Sequence, residues 1–220
     1  MDEQDYQKLI DIITKTVHQE IISQEKKELI SELSIPVEVS NRHVHLSRES
    51  LDILFGKGYE LTKIRDLSQP GEFACQEQVI IVSKKMKVIE KVRVVGPTRN
   101  YTQAELSITD GYYLGLDLPT RISGDIKGSP PLIFIGPKGV LDLPEGAIRA
   151  ARHIHMTPED AMIFRVKNGD RVKVEVSGDH SVIYQDVVIR ISEKSKLAFH
   201  IDTDEANAAN IKGENFARIL

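Results

Sequence analysis

Asn41-Arg42-His43-Val44-His45-Leu46-Ser47 returns half a chain length later as Ala151-Arg152-His153-Ile154-His155-Met156-Thr157. Each copy reads Arg-His-aliphatic-His-apolar-hydroxyl and runs into a helix start. Ser47 precedes Arg48-Glu49-Ser50. Thr157, a good N-cap, precedes Pro158-Glu159-Asp160, where proline suits the first helical position. Two similar units related by duplication are the economical reading.

Outward from these copies the texture is that of short strands. Val37-Glu38-Val39-Ser40 alternates, and Val79 to Val82, Lys87 to Val95, Leu132 to Ile135, Arg171 to Val176 and Val182 to Ile191 are rich in Val and Ile. Gly, Pro, Asn and Asp punctuate them at short intervals, and long helical patterns are absent beyond Pro36. This predicts a mainly β protein of small barrels or a sandwich, not a parallel βαβ sheet.

Residues 2–31 differ. Tyr6, Leu9, Ile10, Ile13, Val17 and Ile21 recur at spacings of three and four, predicting an amphipathic helix that ends before Pro36. Its apolar stripe packs either on the protein's own body or against another protein.

The 220 residues, with 40% hydrophobic and 28% charged, suffice for one large or two small soluble domains. A net charge of -4 gives no reason to expect nucleic acid or an anionic membrane as partner. The longest apolar runs are four residues against the roughly 20 of a membrane span, and the N-terminus lacks a signal-peptide core. Cys75 is the single cysteine, so no internal disulfide forms, which suits a reducing cytoplasm.

Of seven histidines, four lie in the two His-x-His pairs. Random placement would give roughly 0.2 such pairs, so the coincidence calls for a cause. On a strand, alternate residues share a face with Cα atoms ~6.5 Å apart. Two imidazoles there repel if protonated and waste hydrogen-bonding capacity if buried alone; a divalent metal resolves both. The other candidates are His200, in Ala198-Phe199-His200-Ile201-Asp202 before an acidic run, and Glu105, in Gln103-Ala104-Glu105-Leu106-Ser107. His18 and His180 read as exposed bystanders. Arg99, in the turn Gly96-Pro97-Thr98-Arg99-Asn100, is either a surface residue or a bidentate phosphate ligand. Arg42 and Arg152 face away from the histidines on a strand, to support the site from behind or to form ion pairs. No phosphate-binding Gly-rich loop, dinucleotide fingerprint or nucleophile elbow occurs.

Taken together, Ser40 to Ser47, Gly96-Pro97-Thr98-Arg99, Gln103 to Ser107, Arg149 to Met156 and Phe199 to Ala208 resemble the PduL-type phosphate propanoyltransferase family, over about residues 35–212. The resemblance implies two interleaved six-stranded β-barrels with short capping helices: 34–42 with 150–220 as the first, 43–149 as the second, and 1–33 as an N-terminal amphipathic helix. It implies two zinc ions, one on His43 and His45 and one on Glu105, His153, His155 and His200, with Arg99 binding phosphate. The implied reaction moves an acetyl or propanoyl group reversibly between coenzyme A and inorganic phosphate, with no protein nucleophile. The implied setting is a homodimer or larger assembly in a bacterial microcompartment, as in 1,2-propanediol degradation, with residues 1–33 contacting shell or cargo proteins. Two other classes remain open on the residues alone: a zinc-dependent acyl-CoA hydrolase, and a non-catalytic zinc-stabilised compartment protein with closed four-ligand sites.

Overall fold

Val44 and Ile154, the residues between the paired histidines, are both fully buried. They point into two separate apolar cores, and the strand alternation turns the histidines to the opposite faces. The computed structural model describes residues 13–17, 33–178 and 180–220. Residues 13–17 are helical; the rest of the predicted 2–31 helix lies outside the described residues. Residues 35–220 form one unit.

The chain order is β1 (Ile35–Ser40), β2 (His43–His45), α1 (Arg48–Phe55), β3 (Lys63–Asp66), β4 (Phe73–Val82), β5 (Val88–Gly96), β6 (Gln103–Glu105) and α2 (Ile108–Leu114). It continues with β7 (Thr120–Arg121), β8 (Leu132–Ile135), β9 (Val140–Leu143), β10 (Ala147–Ala150), β11 (His153–Met156) and α3 (Pro158–Phe164). Last come β12 (Arg171–Val176), β13 (Val182–Ile191), β14 (Ala198–Asp202), α4 (Thr203–Ala208) and β15 (Phe216–Ile219).

A closed barrel has the order β1-β14-β11-β13-β12-β15. Around it the ladders run parallel, antiparallel, parallel, antiparallel, antiparallel. The path β10-β6-β2-β5-β4-β8 of the second sheet repeats that series. The duplication read from the His-x-His repeat therefore extends over six strands of each half. The halves are interleaved by exchange: β1 leads into β2 but pairs in the other half, and β10 leads into β11 but does the same.

The expected closure holds for the C-terminal barrel. The second sheet is curled and nine-stranded, because β9 occupies the free edge of β8, β7 that of β10, and β3 adds to β4. Its ends approach at Ala147, whose N–H donates to the Pro130 carbonyl at 3.2 Å, but form no strand ladder there among the described residues.

Each core is apolar. Leu51, Leu54, Ile81, Val92 and Phe134 surround Val44, and Ile35, Val174, Ile189 and Phe199 surround Ile154. Each fully buried branched side chain contributes about 1.5–3 kcal/mol, so the cores fix the strands and hold the histidine faces in place.

Candidate active site

Helices α1 to α4 all begin at the same kind of turn. Ser47, Ser107, Thr157 and Asp202 are their N-caps, each with an extended backbone and a side chain accepting an N–H from the first turn. Each cap lies two residues after a candidate donor: His45, Glu105, His155 and His200. Strand geometry therefore places the donor on the cap's face, and the helix start pins the strand end. The expected caps at Ser47 and Thr157 are both present.

In the first set, the His43 Nδ1–H donates to the Asn41 carbonyl at 2.8 Å and the His45 Nδ1–H to the Val95 carbonyl at 3.1 Å. A carbonyl only accepts, so these bonds fix the protons on Nδ1 and leave lone pairs on Nε2. The two Nε2 atoms face each other at 3.2 Å. The Glu105 carboxylate lies 3.6 Å from each of them. Glu105 sits opposite His43 on the antiparallel β6. Fully buried Gln103 aims it, donating to Oε1 at 2.6 Å while its own carbonyl accepts from Gly124 N–H at 2.8 Å.

The second set repeats the plan. The His153 Nδ1–H donates to the Ala151 carbonyl at 2.7 Å, and its Nε2 lies 3.0 Å from the Nε2 of His155. His200 sits opposite His153 on the antiparallel β14, its ring centroid 4.8 Å from that of His155. His200 Nε2 lies 3.0 Å from a Glu38 oxygen, which also accepts from Ser68.

Electrostatics keeps His45, His153 and His155 unprotonated and Glu105 ionised. Burial pushes His45 down to about 3, with the charges of His43 and Arg99 acting the same way. Burial likewise lowers His153 to about 3, aided by His200 and Arg190, and His155 to about 2, aided by His153, His200 and Arg190. Burial alone would raise Glu105, but His43 and His45 outweigh it and hold the carboxyl below its ordinary range.

Each set thus brings three potential metal donors together, with all ligand atoms of a set within 4.8 Å of one another. The family pattern puts Glu105 with the second set; the structure places it beside His43 and His45. Three donors leave a position open for substrate. Both sets line one cavity of about 700 Å³. Among the other predicted bystanders, His180 is exposed and His18 lies outside the described residues.

Arg99 also lines this cavity. Its backbone N–H donates to the Leu46 carbonyl at 2.9 Å, which ties the turn to the His43–His45 strand. Its guanidinium donates to Glu72 at 2.6 Å, to the Tyr101 hydroxyl at 2.8 Å and to Ser123 at 3.1 Å. Gly96, at the start of the turn, must be glycine: a Cβ there would meet the Phe73 ring at 2.4 Å.

Arg42 and Arg152 form ion pairs, and the two pairs correspond. Arg42 reaches Asp110 at 2.8 Å and Arg152 reaches Glu205 at 2.8 Å. Both acids are the capping-box residues of the helices that follow Glu105 and His200. Residues not singled out in the sequence are Gln103, Glu38, Ser68, Glu72, Tyr101 and Ser123. The spacing Ser107-x-x-Asp110 and Asp202-x-x-Glu205 was a readable sign of the two later helices.

Cys75 is fully buried, and burial together with the charge of Glu77 pushes its thiol up to about 11. Only about one molecule in ten thousand then carries a thiolate at neutral pH. Cys75→Ala is expected to keep wild-type turnover while losing roughly 1–2 kcal/mol of stability to the small void. Rapid labelling of the native thiol with matching loss of turnover would contradict this.

Paired imidazoles and a buried carboxylate converging on an open cavity, with an anchored arginine at its wall, make a centre for group transfer between anionic substrates. The profile of the phosphate propanoyltransferase family matches residues 36–212. A phosphate propanoyltransferase of Thermotoga maritima is 55% identical over 193 residues, covering 87% of this chain and 91% of the relative. One from Lachnoclostridium phytofermentans is 47% identical over 211 residues, covering 96% and 98%. One from Listeria monocytogenes is 48% identical over 192 residues, covering 87% and 90%. The chain belongs to the phosphate propanoyltransferase family, and its activity is that of an acyltransferase acting on an acyl-CoA and phosphate.

Proposed function

We propose that this acyltransferase is zinc-dependent and works reversibly, with His43, His45 and Glu105 as one ligand set and His153, His155 and His200 as the second. The observation that carries the reading is the 3.2 Å Nε2–Nε2 approach of His43 and His45, both with Nδ1 protons committed to carbonyls, repeated at 3.0 Å between His155 and His153, whose Nδ1 proton is likewise committed. Two lone pairs at that separation repel unless a cation lies between them. Nitrogen donors with one carboxylate suit zinc. Zinc bound in such sets supplies a Lewis acid for carbonyl and phosphoryl oxygens and a soft partner for thiolate sulfur.

The chain's own residues orient the reactants. Arg99 offers phosphate a fork, with Tyr101 and Ser123 fixing one nitrogen and Glu72 holding the other until an anion displaces it. A phosphate oxygen bonds to the thioester carbon, the C–S bond breaks, and coenzyme A leaves as the thiolate. No side chain becomes acylated, in keeping with the buried Cys75 thiol.

We place the enzyme in a microcompartment, as a homodimer or larger, on the amphipathic pattern of residues 2–31; Ile13 and Val17 of that stripe are exposed.

The test follows thiol release from acetyl-CoA and propanoyl-CoA with and without phosphate, alongside elemental analysis. Phosphate-dependent release, zinc in the protein, and loss of both on chelation are expected. Equal release without phosphate would make it a hydrolase. Full activity in metal-free protein would remove zinc from the account.

A further inference from the structure

Five arginines line the cavity: Arg42, Arg65, Arg93, Arg99 and Arg190. Three are committed within the protein. Arg42 pairs with Asp110, Arg93 donates to the Cys75 carbonyl at 2.8 Å, and Arg99 is tied to Glu72, Tyr101 and Ser123. Arg65 is exposed on β3. Arg190 is half-buried, and its guanidinium makes no hydrogen bond and no salt bridge to any described residue.

Its position is set by register. Arg190 on β13 is the parallel partner of His155 on β11. Neighbours Ile189 and Ile154 both point into the barrel core, so Arg190 shares the outward, cavity-facing side with His153 and His155. It is close enough that its charge is felt by both histidines. A guanidinium with no internal acceptor, partly withdrawn from water beside neutral imidazoles, is set to receive an anion. Each set has one carboxylate beside it: Glu105 faces His43 and His45, and Glu38 faces His200 at 3.0 Å.

We infer that Arg190 is a substrate-binding residue that grips the phosphoryl oxygens of inorganic phosphate, and of the acyl phosphate in reverse, beside His153, His155 and His200. The inference rests on the zinc phosphotransacylase reading above. Coenzyme A also carries phosphates, so the test separates the two sources. Arg190→Lys and Arg190→Gln are compared with wild type for the KM of phosphate, the KM of propanoyl-CoA, zinc content, and calorimetric binding of inorganic phosphate to the zinc-loaded enzyme. Expected is a rise of about tenfold or more in phosphate KM and Kd for Arg190→Gln. Arg190→Lys should recover part of it, with the propanoyl-CoA KM and zinc content near wild type. Unchanged phosphate constants, or a loss confined to propanoyl-CoA, would overturn the assignment. So would loss of zinc in both variants, which would make Arg190 structural. If wild type itself releases thiol without phosphate, the functional reading fails and takes this inference with it. If wild type needs phosphate and the variants match it, only this inference fails.

Discussion

Glu105→Ala is expected to lower turnover by about 10²–10³-fold and to cost the chain one equivalent of zinc. The reason is charge as much as ligand number. His43 and His45 are neutral donors, and Glu105 is the anion that faces them both at 3.6 Å. Without it, two imidazoles remain to hold a divalent ion, and the Gln103 amide that aimed the carboxylate loses an acceptor. Glu105→Gln keeps the shape and a carbonyl acceptor but not the charge, so it should fall between alanine and wild type. The metal-free fold should tolerate either change, because removing a buried carboxylate also removes a desolvation cost. Turnover with saturating substrates, zinc by elemental analysis and the melting temperature separate these effects. An Ala variant with full zinc and turnover within about threefold of wild type would show that Glu105 ligates nothing.

The sequence carried much of this fold because the duplicated unit is marked at its most constrained point. Both His-x-His strands end in a capped turn, and Arg42 to Ser47 and Arg152 to Thr157 display strand, donors and cap within six residues. The third donors were harder to find. Glu105 and His200 are chemically different, so no identity joins them; local context made them candidates, and only the family resemblance gave them ligand roles. The pattern they share is in their surroundings: a cap two residues on, an acid five residues on, and an arginine before the facing histidine pair. Helices α2 and α4 went unread because seven and six residues are too few for a periodic stripe. Strands β3, β7, β9 and β15, of two to four residues, fail for the same reason. They also decide whether the second sheet closes, which is why the expected second barrel is a curled sheet. Arg190 was invisible in sequence, since its meaning lies in a missing partner and a register with His155.

The second large effect belongs to Glu205. Its carboxylate accepts from Arg149 at 2.6 Å, from Arg152 at 2.8 Å and from the Asp202 N–H at 3.0 Å. Arg149 lies on β10 of the curled sheet, while Arg152 leads into β11 of the barrel and Glu205 starts the barrel's α4. One buried acid therefore ties the two halves and pins the strand end that carries His200. Glu205→Ala leaves two partly buried guanidinium groups short of a partner and opens the capping box, at a cost of about 2–4 kcal/mol. For a chain of this size that lowers the melting temperature by roughly 5–15 °C. The companion Asp110→Ala should cost less, because its partner Arg42 has half its side chain in water. Loosening α4 should also weaken zinc at His153, His155 and His200 while sparing His43, His45 and Glu105, so a chelator titration of Glu205→Ala should strip one equivalent well before the other. Melting within a degree or two of wild type, or equal weakening of both equivalents, would mean that the ion pairs across the halves carry no such load.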